Sequence, residues 1–143
     1  MAAARILIVD DDVILLEVLG RTLSRQGYDV LLASHPREAL AIVREQASID
    51  VVLSDVVMRQ MLGTELVREI AQISPRTAFL FMTAGPAQMA DGIAVLRKPL
   101  SIQDLTSGVR AALEQSAQSQ MDLPIRRISS SKTATLRPPI RYS

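Results

Sequence analysis

The sequence predicts an α/β fold in which a parallel sheet carries helices on both faces. Three features of the chain point to it. Short apolar runs rich in β-branched residues alternate with segments whose apolar residues recur at helical spacing. The runs are apolar on successive positions, as strands buried on both faces must be. The connections between them are short, which suits repeated strand–helix units.

Ile6–Val9 is the first such run, ended by acids. Val13–Gln26 carries apolar residues at 15, 16, 19 and 23 and reads as a helix, with Gly27 as its stop. Asp29–Ala33 is a second strand. Arg37–Gln46 is a helix with Ala39, Leu40, Ile42 and Val43 inward and Pro36 in its first turn. His35, the one histidine, falls in an exposed loop. Asp50–Leu53 is a third strand that ends in Ser54-Asp55. A loop through Met58, Met61 and Gly63 leads to a helix over Thr64–Ile73, with Leu66, Val67 and Ile70 on one face. Met58, Met61, Met82 and Met89 read as gap-fillers. Thr77–Met82 and Ile93–Leu96 are the last two strands. Ser101 is the expected N-cap of a final helix, with Asp104 three positions on and Leu105, Val109, Ala112 and Leu113 facing inward.

The 143 residues fit one domain with a tail. Hydrophobic residues make up 48% but aromatics only 3%, so Ile, Leu, Val, Ala and Met must build the core. Charge is unevenly spread. Residues 120–143 carry five basic groups (Arg126, Arg127, Lys132, Arg137, Arg141) and one acid, Asp122. The other 119 residues hold 11 basic and 14 acidic groups. A mildly acidic body argues against a nucleic-acid face on the folded domain. Composition beyond about Ser116 turns to Ser, Gln, Arg, Thr and Pro, so the expected division is a domain over 1–118 and a disordered basic tail over 119–143. The absence of cysteine excludes disulfides and thiol chemistry. No apolar run approaches a membrane span, and the N-terminal segment is too short for a signal peptide. A cytoplasmic address without membrane contact is therefore expected.

Ligands of an open α/β sheet bind beyond the carboxyl ends of its strands. The first strand ends in Asp10-Asp11-Asp12, the third in Asp55, the fourth in Thr83 and the fifth in Lys98. Side by side, these ends would gather several carboxylates, a hydroxyl and an ammonium. Clustered carboxylates need a counter-charge. Oxygen ligands without His or Cys select a hard cation, commonly Mg²⁺. A remaining carboxylate can attack phosphorus, which gives Asp55 the role of nucleophile. Asp12 is the weaker member, read as a helix N-cap or outer support.

These residues also resemble a family. Ile6-Leu7-Ile8-Val9-Asp10-Asp11-Asp12 is similar to the opening strand of response-regulator receiver domains. Asp50 to Met58, with Gly63 eight residues after Asp55, is similar to their phosphorylation strand and loop. Phe81-Met82-Thr83-Ala84 and Lys98-Pro99 match the two remaining signatures, and the likeness runs from about Arg5 to Leu113. The resemblance implies a five-stranded, flavodoxin-like receiver fold with strand order 2-1-3-4-5. It implies that Asp55 accepts a phosphoryl group from a histidine kinase or histidine phosphotransfer protein. Asp10, Asp11, Asp55 and the carbonyl of Val57 would hold Mg²⁺, while Thr83 and Lys98 bind the phosphoryl group. It also implies a cis Lys98–Pro99 bond. The chain would be an acceptor that assists its own phosphorylation and dephosphorylation, not an enzyme, and would act as a stand-alone receiver signalling by protein contact.

The chain departs from the family pattern in four places. Arg59 replaces the usual proline after the loop methionine, Leu62 replaces an acidic or polar residue before the loop glycine, and Val95 replaces an aromatic switch residue. Thr83 and Lys98 stand only 15 positions apart, so the fourth family helix should be shortened or lost, with Gly85-Pro86 and Asp91-Gly92 bracketing a turn. Short, β-branched Val95 cannot swing as an aromatic does. Output is therefore expected from the Val57–Gly63 loop and the Thr83–Gly92 segment. Two alternatives stand beside this: a degenerate receiver that only docks, and a phosphatase of the haloacid dehalogenase type. The second family's Asp-x-Asp-x-Thr/Val pattern has Ile14 at its fifth position here.

Overall fold

The structure, a computed structural model, describes residues 3–46, 48–85 and 92–117. The chain runs β1 (Arg5–Val9), α1 (Val13–Arg25), β2 (Asp29–Ala33), α2 (Pro36–Glu45), β3 (Val51–Asp55), α3 (Gly63–Ile73), β4 (Ala78–Thr83), β5 (Val95–Arg97) and α4 over 102–117. The strands form one parallel sheet in the order β2-β1-β3-β4-β5. This is the expected order.

Side chains alternate across the pleat, and both faces are buried. Ile6, Ile8, Val51, Leu53, Leu80 and Met82 point to one face, packed with Leu16, Leu19 and Leu23 of α1 and Leu105 and Val109 of α4. Leu7, Val9 and Val52 point to the other, under Ala39, Leu40 and Val43 of α2 and Leu66 and Ile70 of α3. A sheet buried in this way must carry apolar residues on successive positions, which is the pattern the sequence displays. Arg5 ties the amino ends of three strands together. Its backbone N–H donates to Asp50 Oδ2 at 2.8 Å and its Nε to Asp29 Oδ2 at 2.9 Å.

The helix ends follow their local chemistry. Asp12 caps α1, its Oδ1 accepting from the N–H groups of Ile14 and Leu15, both at 3.1 Å. Gly27, at φ +97°, turns the chain out of α1 in the left-handed region. Ser101 caps α4, its Oγ accepting from the Asp104 N–H at 2.9 Å. Leu62, which precedes α3, has no polar side chain. The Glu65 carboxylate instead accepts its N–H at 3.1 Å.

Four expectations are corrected. His35 is not a plain exposed loop residue: it is half-buried and caps α2, its Nδ1 accepting from the Arg37 N–H at 3.1 Å. Pro36 has no N–H, so the first amide of α2 in need of a partner is that of Arg37. The helix itself starts at Pro36, one residue early. β3 extends through Asp55 because β4 continues to pair with it, Asp55 lying opposite Met82. β5 begins at Val95, not Ile93, since its ladder partners on β4 are Phe81, Met82 and Thr83. The described residues flanking the expected short fourth family helix, 84–85 and 92–94, are not helical. Residues 86–91, Met89 among them, and the tail lie outside the described residues.

Gly63 opens α3 directly behind the end of β3. A Cβ there would collide with the carbonyl oxygen of Asp55 and stand 3.0 Å from the Cα of Val56. Both are backbone atoms that cannot rotate aside. Gly63→Ala should therefore lower stability by about 1–3 kcal/mol, read as a shift of the urea midpoint, an overpacking penalty. Gly85→Ala, whose nearest neighbour would be 3.7 Å away, is the contrasting control, with an expected change under about 1 kcal/mol.

Candidate functional site

β1 and β3 lie side by side, Val9 opposite Ser54. The residue after each of these is therefore an aspartate, Asp10 and Asp55, at the carboxyl edge of the sheet. Asp10, Asp11 and Asp55 each offer an oxygen within 4.8 Å of the others. Asp10 is fully buried, Asp55 is 9% exposed and Asp11 is half-buried. Asp12 faces away as the α1 cap, but its N–H donates to Asp10 Oδ1 at 2.9 Å and holds that carboxylate in place.

Lys98 enters from the end of β5. Its Nζ donates to Asp10 Oδ2 at 2.8 Å and to Asp55 Oδ2 at 3.3 Å. The Lys98 N–H is anchored on the Thr83 carbonyl at 2.8 Å, and the Lys98–Pro99 peptide is cis, as expected. Thr83 stands at the end of β4, one position beyond the partner of Asp55. Its hydroxyl accepts from the Gly85 N–H at 3.0 Å and retains its own proton to donate. Val57 borders the carboxylates, its N–H donating to Asp55 Oδ1 at 3.4 Å. The structure thus brings Asp10, Asp11, Asp55 and Lys98 together, with Thr83 and Val57 at the margin.

One member was not foreseen. Arg59 Nε lies 4.0 Å from Asp11 Oδ2, giving the third carboxylate a cation that Lys98 does not supply. The signal for it was a positive charge four positions after Asp55, where the family pattern has proline.

Burial pushes the Asp55 carboxyl above its ordinary value, and the Asp10 charge pushes it further. Lys98 and the Val57 N–H pull the other way without cancelling this. Burial would lower Lys98, but its hydrogen bond to Asp10 and the charges of Asp10 and Asp55 outweigh that, so its ammonium holds the proton more tightly. Three carboxylates facing one inserted ammonium form an oxygen-only donor set with negative charge to spare. Such a set fits a hard divalent cation.

A profile of the response regulator receiver domain matches residues 6–110. The chain belongs to this family, the receiver domains of two-component response regulators. Among curated proteins it is similar to the transcriptional regulatory protein GlrR of Escherichia coli (strain K12), at 34% identity over 80% of this chain and 27% of that protein. It is also 34% identical to the response regulator MprA of Mycolicibacterium vanbaalenii, over 78% of this chain and 51% of that protein. The chain thus spans about a quarter to a half of these relatives. A receiver domain from Clostridium thermocellum superposes with a TM-score of 0.72 at 33% identity, covering 80% of this chain and 98% of that one. A CheY-like receiver domain from Methanospirillum hungatei JF-1 gives 0.74 at 27% identity, covering 82% and 99%.

The raised Asp55 carboxyl has a consequence for stability. As pH rises through the ordinary carboxylate range the unfolded chain loses this proton first, so stability falls until the folded form also ionises. Above that point the full penalty remains. Asp55→Asn should therefore raise the Tm of the metal-free protein at pH 7 by about 2–6 °C. The gain should shrink as pH drops below about 4, where the carboxyl is protonated in both states. Scanning calorimetry across pH checks both the sign and the window.

Proposed function

We propose that this chain is a phosphoacceptor: Asp55 takes a phosphoryl group from a histidine kinase or histidine phosphotransfer protein in a Mg²⁺-dependent reaction. The observation that carries this is the Lys98 ammonium bridging Asp10 and Asp55 inside a set of three carboxylates. Asp10, Asp11, Asp55 and the Val57 carbonyl are the residues that would hold the metal. When bound, Mg²⁺ neutralises the carboxylates and polarises the phosphoryl oxygens.

The chain's own residues divide the remaining work. An Asp55 carboxylate oxygen attacks phosphorus, and the phosphorus–nitrogen bond of the donor phosphohistidine breaks. The electron pair stays on the imidazole, which takes up a proton. Lys98, already within hydrogen-bond distance of Asp55, pairs with an oxygen of the transferred group. Thr83 can donate its hydroxyl proton to another oxygen while still accepting from Gly85. The product is an acyl phosphate on Asp55, and the chain acts as an acceptor that assists its own phosphorylation and dephosphorylation.

Exposed apolar residues flank these groups in sequence: Val13 and Ile14 follow the acidic run, Val57 and Leu62 follow Asp55, and Ile102 follows Lys98. Such residues beside a charged centre suit a protein donor over a small one. Signalling then proceeds by protein–protein contact, read from the Val57–Gly63 loop and the Thr83–Gly92 segment. Among the described residues no helix is long and apolar enough to cross a membrane. We place the chain in the cytoplasm with its kinase, the receiver unit over 1–118 and the tail over 119–143.

Incubation with acetyl phosphate and Mg²⁺ is the test. The expected result is stable incorporation that Asp55→Asn abolishes. Continuous release of phosphate without an adduct would favour a phosphatase, and no incorporation would favour a docking module. For the donor surface, the double substitution Ile14→Ser with Val18→Ser, both exposed on α1, should slow transfer from a kinase by on the order of tenfold, equivalent to ~1.4 kcal/mol. Labelling by acetyl phosphate should stay within about twofold of wild type, since no docking energy is involved.

A further inference from the structure

Lys98 reaches two of the three carboxylates and leaves the third to a different cation. Its hydrogen bonds go to Asp10 and Asp55. Asp11 has Arg59, with Nε 4.0 Å from Oδ2.

The backbone of Arg59 is held near Asp11 by its loop. Met58, the preceding residue, is buried at 5% exposure. Val57 pairs with Leu62 in an antiparallel bridge, and the Gly63 N–H donates to the Val56 carbonyl at 2.6 Å. The loop is thus closed on itself and pinned at its base. Arg59 cannot leave the neighbourhood of Asp11 by loop movement without breaking these contacts.

The pair is a poor device for stability. The Arg59 side chain is 84% exposed, and an ion pair so exposed adds little to the fold. Its effect on a divalent cation is larger. A positive charge beside a metal ligand acts on both charges of the cation, and the interaction falls only as the inverse of distance in the absence of salt. Entry of a cation at Asp11 also requires the guanidinium to give up its partner.

Resting on the metal site proposed above, we infer that Arg59 guards it: the guanidinium neutralises Asp11 while the carboxylates are free and yields as the cation enters. Mg²⁺ uptake is then weaker, and less salt-sensitive, than three carboxylates and one lysine alone would make it. The cellular level of free divalent cation therefore helps set the fraction of chains ready to accept a phosphoryl group. A solvated loop arginine without this role would leave metal affinity untouched.

Calorimetric titration of the full chain with MgCl₂ tests this without any phosphoryl transfer. At about 20 mM ionic strength, where exposed charges are weakly screened, Arg59→Ala should tighten the Mg²⁺ Kd by about three- to tenfold. Arg59→Lys keeps the charge and should stay within about twofold of wild type. At about 0.5 M NaCl the gap between Arg59→Ala and wild type should fall below about twofold. Equal affinities of Arg59→Ala and wild type at low salt would overturn the guard and leave the metal site standing, as would weaker binding by Arg59→Ala. Failure of wild type itself to bind Mg²⁺ would overturn both.

Discussion

Three carboxylates at one edge of a sheet repel one another, and the rest of the structure is arranged around that constraint. Asp10 and Asp55 cannot move apart, because the register of β1 against β3 sets Val9 opposite Ser54. A parallel ladder holds that spacing through a row of buried apolar residues on each strand. Lys98 answers the repulsion by placing one ammonium against both acids. Removing Lys98 from this arrangement would leave both acids uncompensated, whereas removing Asp55 leaves the lysine paired with Asp10, so the ammonium is the member on which the set depends.

The constraint reaches beyond the charges. Asp12 serves two elements, capping α1 with its side chain and holding Asp10 with its N–H. Gly63 lets α3 begin against the carbonyl of Asp55, closer than any side chain permits. The loop between Asp55 and Gly63 is therefore short, closed and anchored by Met58. Its exposed residues are carried on a rigid base next to the acids. Thr83 differs, since its hydroxyl is engaged with Gly85 in a local turn. A hydroxyl held that way keeps its own proton free to donate to a new acceptor without giving up the Gly85 N–H.

Much of this was legible in the amino-acid sequence, because the signals are local and chemical. Apolar runs such as Ile6–Val9 and Val51–Leu53 reflect burial on both faces of a sheet, and residues that terminate such runs must sit at its carboxyl edge. Asp10, Asp11, Asp55 and Lys98 were identified on that ground, together with the caps Asp12 and Ser101. The sheet order came from resemblance, since no local property of a strand states which neighbour it pairs with. His35 was misplaced because a histidine cap has no sequence pattern as clear as Asp or Ser.

By itself, then, the sequence determined the class of fold, the strands, the acidic set and its lysine, since periodicity and residue chemistry act over a few positions. Only the tertiary structure decided what depends on distances across the sheet. It decided that Lys98 bridges Asp10 and Asp55 but not Asp11, and that β3 runs on through Asp55 because β4 still pairs with it. It decided that Thr83 is turned toward Gly85. It also decided that Arg59 faces Asp11. These are contacts between residues 27 to 88 positions apart along the chain in all but the Thr83 case. Packing sets them, and packing is a property of the whole domain.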